Sequence, residues 1–176
     1  MKNEKTKKLV TLAVFGAIVV VLQLVATFIK IGSFPITLTL VPVVIIAAKY
    51  GPFEGGLMGL IFGAIVLAMV VVGADVGGAS MFAVHPVHTT IVCLLKGFLA
   101  GFVPGLVYKK INNKKAAIVV AGALAPICNT GTLIIFLILF FDTAFAAAFG
   151  LFISINFLIE LVINMLLAPG LLRIIK

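Results

Sequence analysis

A lysine and a glutamate stand in the middle of long apolar runs, where an ionised group needs a partner. Lys96 sits in VHTTIVCLLKGFLAGF and Glu160 in INFLIELVIN. Each shares a helical stripe with polar residues: His88 stands eight before Lys96, with Val92 between, and Asn156 and Asn164 stand four to either side of Glu160. A third run carries Asn129, Thr130 and Thr132 shortly after Pro126, and His85 and Thr89 flank the start of the run that holds Lys96. An ammonium binds anions, a carboxylate accepts from hydroxyls and amides, and Asn and Thr do both. Polar groups buried in apolar segments mark solute sites by default. The alternative is a Lys96–Glu160 ion pair that only sets helix register. His85 and His88 form an HxxH pair, but zinc takes three or four ligands and only Asp75 is near in sequence. The pair is therefore read as a lip over a pocket, with no metal assigned.

Composition sets the elements that must position these groups. Of 176 residues, 64% are hydrophobic and 10% charged, with a mean hydropathy of +1.38. A soluble domain is about 25% charged, so this chain must cover itself with lipid. Polar or Gly/Pro breaks leave apolar segments at residues 8–29, 36–48, 55–72, 87–108, 116–141 and 151–174. Each crossing takes roughly 20 residues. The expectation is an all-α integral membrane protein of six transmembrane helices, forming one membrane-embedded domain over residues 1–176. The first segment is too long for a signal-peptide core and is read as a retained helix. Gly51-Pro52 is a stop and restart, residues 73–86 form the longest break, and DTAFAAAFG a shorter one.

With six crossings, every basic residue except Lys30 and Lys96 falls on the side of the two termini. Positive residues stay inside, so both termini are expected in the cytoplasm. The same placement at segment ends explains the net charge of +8 without nucleic acid as a partner. Cys93 and Cys128 lie inside apolar runs and are read as packing residues. There is no HExxH, no acidic cluster and no GxxxxGK[ST] phosphate loop. An enzyme is not expected, and the chain cannot hydrolyse ATP itself. A self-sufficient channel or small transporter is the rival class, but it would need oligomers or inverted repeats, and no convincing repeat is present.

Ala13 and Ala17, with Gly16 between them, give the first helix a small-residue face, and Gly55, Gly59 and Gly63 do the same for the third. With the basic N-terminus and six segments in under 200 residues, three further runs complete a pattern: PITLTLVPVVIIAAKYGPFEGGLMGLIFG, LLKGFLAG and ALAPICNTGTLIIF. In their order and spacing the chain resembles, over nearly its whole length, the substrate-binding S-components of energy-coupling factor (ECF) vitamin transporters. The resemblance implies uptake across a prokaryotic plasma membrane, driven by a separate module of a transmembrane coupling protein and two cytoplasmic ATPases. Those partners would use the ATP, and this chain would hold no cofactor. Ala13, Gly16 and Ala17 would dock the coupling protein.

Pro35-Ile36-Thr37, His85-Pro86 and Asn129-Thr130 look most like pantothenate-type members, although many of those carry arginine where Lys96 stands. A buried cation suits an anionic vitamin such as pantothenate. Stacking on Phe34, Phe82 or Phe98 would suit riboflavin or another ring-bearing vitamin, and with no Trp, two Tyr and 15 Phe the composition leaves both open. The expected substrate site comprises Lys96, Glu160, Asn129, Thr130, Asn156, His88, Thr89, His85 and Phe34.

Overall fold

The computed structural model describes residues 2–26, 28–31, 34–35 and 38–174. Its helices start and stop where the sequence places proline, glycine and asparagine. Helix α1 is Lys2–Ala26, followed by a short ladder of β1 (Lys30–Ile31) and β2 (Phe34–Pro35). The two strands pair antiparallel, Lys30 opposite Pro35 and Ile31 opposite Phe34. Helix α2 is Leu40–Tyr50 and α3 is Pro52–Val71. Between them Gly51 has φ 114°, a conformation open to glycine and strained for other residues, and Pro52 occupies the first turn of α3. Helix α4 is Val76–Val84, α5 Pro86–Lys110, α6 Lys114–Phe140 and α7 Thr143–Ile174. Asn113 caps α6 by accepting from the amides of Lys115 (3.1 Å) and Ala116 (3.3 Å).

Five of these helices, α1, α3, α5, α6 and α7, are long and apolar enough to cross a membrane. The chain is a helical, multi-pass membrane protein. The second apolar segment behaves differently. Its helix has 11 residues and rises only about 16 Å, against a hydrocarbon core of about 30 Å. Every side chain from Leu40 to Ala47 is buried, because α2 runs through the centre of the bundle and touches α1, α3, α5, α6 and α7. A helix that is apolar on all sides needs either lipid or protein around it; here it has protein.

The broadest helix contact is between α3 and α5. The small face expected on α3 meets a second one on α5: Gly55 lies on Gly101, Gly59 on Gly97, Gly63 on the Cys93 carbonyl and Pro52 on Gly105. A Cβ on Gly59 would fall inside the contact radius of the Gly97 carbonyl. Without an interhelical hydrophobic drive in lipid, such backbone-to-backbone approach is what packs the pair.

Two breaks differ from expectation. Residues 73–86 contain a whole helix, α4, because Asp75 caps it by accepting from the Gly78 amide at 3.0 Å. The break expected at DTAFAAAFG is shorter: Phe141 and Asp142 separate α6 from α7, and from Thr143 onward the stretch forms the first turns of α7. Its alanines favour helix, and one internal glycine costs only about 1 kcal/mol.

Candidate functional site

The polar residues converge on one cavity of about 50 Å³ inside the bundle. Helix α5 contributes Lys96, which stands about 15 Å along the helix from Pro86. Helix α6 contributes Asn129 and Thr130, and α7 contributes Asn156 and Glu160. Val66 of α3, Leu133 of α6 and Ile153 of α7 supply apolar wall. Five of the expected site residues therefore share one space: Lys96, Asn129, Thr130, Asn156 and Glu160.

Two further lining residues were not anticipated. Gln23 of α1 is 1% exposed and accepts from the Thr39 hydroxyl at 2.9 Å. It is the one amide in the apolar stretch LVTLAVFGAIVVVLQLVA, and that isolation is its signal in the sequence. By sequence Asp75 falls in the long break at residues 73–86. Its place at the cap of α4 instead turns it inward, where it is 6% exposed and lines the cavity. Nothing in the local sequence separates a loop aspartate from this one, since the distinction lies in how α4 folds back on α3 and α5.

The histidines lie elsewhere. His88 is exposed and borders an apolar groove between α5 and α6 with Ile91, Leu95 and Phe140. Helical rotation explains this: eight residues turn a side chain about 80° away from Lys96, whereas the seven that separate Thr89 from Lys96 leave only about 20°. Thr89 accordingly points inward at 2% exposure and lines a small adjoining pocket with Asp75 and Lys96. His85 donates from Nε2 to the Phe140 carbonyl at 2.9 Å, and its ring centroid is 5.6 Å from that of His88. The pair thus ties the start of α5 to the end of α6. Among the described residues no group of three or more His, Cys, Asp or Glu is placed to hold a metal.

Phe34 falls in β2, but its side chain lies outside the described residues, as do Ile36 and Thr37. The ladder packs against α4 and α7. Phe98 stacks on Phe102 at 5.1 Å and lies against Gly56, and Phe82 packs on the apolar core. None of the described cavity-lining residues is aromatic.

The chemistry of the lining is mixed. One ammonium faces two carboxylates, three amides and a hydroxyl, so both ends of a polar, partly anionic solute find partners. Asn129 Oδ1 and Thr89 Oγ are buried with no hydrogen-bond partner among the described residues. Each such group costs about 1–3 kcal/mol, and their position beside the cavity suits a polar solute that would satisfy them. Asn164, two turns beyond Asn156, has a packing role: its Nδ2 donates to the Glu160 carbonyl at 2.8 Å, and its backbone lies against Gly122 of α6.

On helix α1, Ala13 and Ala17 are exposed, while Gly16 is buried against α3 near Ile61. The outward small-residue face is therefore Ala13 and Ala17 alone.

A multi-pass membrane bundle with a buried polar cavity has the build of a solute-binding membrane protein. Residues 7–172 match the family of ECF transporter substrate-specific components, and the chain belongs to that family. It is also similar to the pantothenic acid transporter PanT of Lactococcus lactis subsp. cremoris (strain MG1363), with 29% identity covering 97% of this chain and 94% of that protein. The family makes this a vitamin-transporter subunit and not an enzyme.

Proposed function

We propose that the chain is the pantothenate-binding subunit of an ATP-driven ECF transporter in a prokaryotic cell membrane. The observation that carries this reading is the convergence of Lys96 with Asn129, Thr130, Asn156 and Glu160 on one buried cavity. Pantothenate has a carboxylate, an amide, two hydroxyls and a dimethyl-substituted carbon. Its carboxylate suits the Lys96 ammonium, its hydroxyls and amide suit the Asn, Thr and Glu groups, and its methyls suit Val66, Leu133 and Ile153. The likeness to the Lactococcus pantothenic acid transporter supports the same solute. Riboflavin would need a stacking surface, which the described lining does not offer. A cavity of about 50 Å³ is below the roughly 300–1,000 Å³ of drug-sized ligand sites, so binding requires its walls to part. The short β1–β2 ladder and α4 are the elements that can move without breaking a membrane-crossing helix.

In this reading α2, with the residues before it, makes the sixth crossing, and both termini are cytoplasmic by the distribution of lysines. A coupling protein and two ATPases supply the energy, and this chain needs no cofactor of its own.

Equilibrium binding of labelled pantothenate to the purified chain tests the assignment, with riboflavin as competitor and mass spectrometry of any co-purified solute as a second readout. Saturable pantothenate binding that riboflavin does not displace is expected. Riboflavin in the co-purified fraction, or no pantothenate binding by folded protein, rules the assignment out.

Two variants separate the parts of the machine. Asn129→Leu removes a buried amide whose Oδ1 has no partner among the described residues. Without solute it is expected to melt at or above the parent temperature, while losing the rise that pantothenate produces in the parent. A pantothenate-induced rise equal to the parent's would remove Asn129 from the site. Ala17→Phe, on the exposed face of α1, is expected to cut uptake in cells more than tenfold while leaving pantothenate affinity unchanged. Equal loss of binding and uptake would show that Ala17 supports the fold and not a partner.

A further inference from the structure

At the end of the bundle remote from the cavity, α5 ends, α6 begins and the last turns of α7 pass alongside. Tyr108, Lys114, Lys115, Ile118, Leu172 and Arg173 line a groove of about 270 Å³ there. Three of these groups are cationic, and among the described residues no carboxylate lines the groove. Lys114 is already engaged: its Nζ donates to the carbonyls of Ile111 (3.0 Å) and Tyr108 (3.2 Å) and stands 5.1 Å from the Tyr108 ring centroid. Lys115 and Arg173 are exposed, and among the described residues neither forms an ion pair.

The sign of this cluster is unusual for its place. Lys114 and Lys115 open α6, whose first turn holds no acidic residue. That end of a helix is positive and favours anions, so two lysines there add to an uncompensated field. Beneath the cations, Ile118 (3% exposed) and Leu172 (8%) form an apolar floor. Because α5 and α6 are each long and apolar enough to cross a membrane, a groove at their shared end belongs where bilayer would meet water. A free inorganic anion would use the rim and leave the floor bare, whereas a phospholipid uses both.

We propose that this groove holds an anionic phospholipid, its phosphate between Lys115 and Arg173 and its upper methylenes along Ile118 and Leu172. Arg173 offers the bidentate fork that matches a phosphate, and Lys115 a second point charge. Basic pockets between membrane helices recognise anionic headgroups in this way. The site does not touch the solute cavity and holds whichever vitamin is bound.

Native mass spectrometry of the delipidated chain tests it, using phosphatidylglycerol, phosphatidylcholine of the same acyl chains, and inorganic phosphate as probes. Each basic group near an anionic lipid contributes roughly fivefold, so phosphatidylglycerol is expected to bind about thirtyfold more tightly than phosphatidylcholine. The double variant Lys115→Ala/Arg173→Ala should bring the ratio near one, while Lys109→Ala/Lys110→Ala, which removes the same charge outside the groove, should preserve it. If the alanine pair fails to fold, Lys115→Gln/Arg173→Gln serves in its place. Equal binding of the two lipids, an unchanged ratio in the groove variant, or the same loss in the Lys109/Lys110 variant overturns the proposal. Displacement of phosphatidylglycerol by millimolar inorganic phosphate also overturns it, by making the site one for free phosphate.

Discussion

Lys96→Ala is expected to weaken pantothenate binding by a hundredfold or more. The ammonium is the one cation among the described residues that line the cavity. Truncating one partner of a buried, hydrogen-bonded charge pair costs about 2–5 kcal/mol, or at least about thirtyfold. Here the loss also leaves Asp75 and Glu160 facing an anionic solute without a counter-charge, which places the effect in the upper part of that range. Lys96→Arg should retain much of the affinity, since it keeps the charge and adds a planar fork. His88→Ala should change affinity less than twofold, because His88 faces an outer groove and not the cavity. Calorimetric titration on monodisperse protein reads all three. An affinity unchanged in Lys96→Ala would leave the lysine as a structural partner of Asp75 or Glu160 and withdraw the anion site. Loss of affinity in His88→Ala would mean that the start of α5 turns inward when solute binds.

Gly59→Leu is expected to abolish folding, seen as loss of the monodisperse peak on size-exclusion chromatography and of thermal protection. Even a Cβ at this position meets the Gly97 carbonyl, and Gly97 in turn meets the Gly59 carbonyl. The obstruction is backbone on both sides, so no side chain can rotate away. Overpacking commonly costs about 1–3 kcal/mol where side chains can yield; here α3 and α5 must separate along their whole contact. Gly131→Ala is the matched control. Its Cβ would meet nothing within 4 Å, and alanine in a helix is worth about 1 kcal/mol over glycine, so this variant should be as stable as the parent or slightly more so. A well-folded Gly59→Leu protein would mean that α3 and α5 do not cross at their glycines.

Much of this was legible in the residues themselves. Lipid exposure followed from hydropathy and sparse charge, and the helix turn at Gly51-Pro52 from the backbone freedom of one residue and the fixed φ of the next. The concentration of polar residues in the last three segments located most of the cavity, because a charge in an apolar run has so few tolerable positions. The glycine face of α3 was likewise visible as a four-residue spacing.

What needed the tertiary structure was the rotation of each helix and the choice of its neighbour. A spacing of four drifts about 40° per step on a helix of 3.6 residues per turn, so His88 parts from Lys96 although both fit one stripe on paper. The partner of Gly59 is Gly97, 38 positions along the chain, and no local pattern states that pairing. Asp75 became a cavity group because α4 caps itself on that side chain and folds against α3 and α5. The run from Leu40 to Ala47 in α2 is apolar on every side whether it faces lipid or protein, and only the packing of five neighbours around it settles which. Local sequence sets the energetic cost of exposing or burying each residue, whereas the three-dimensional packing sets which residues share that cost.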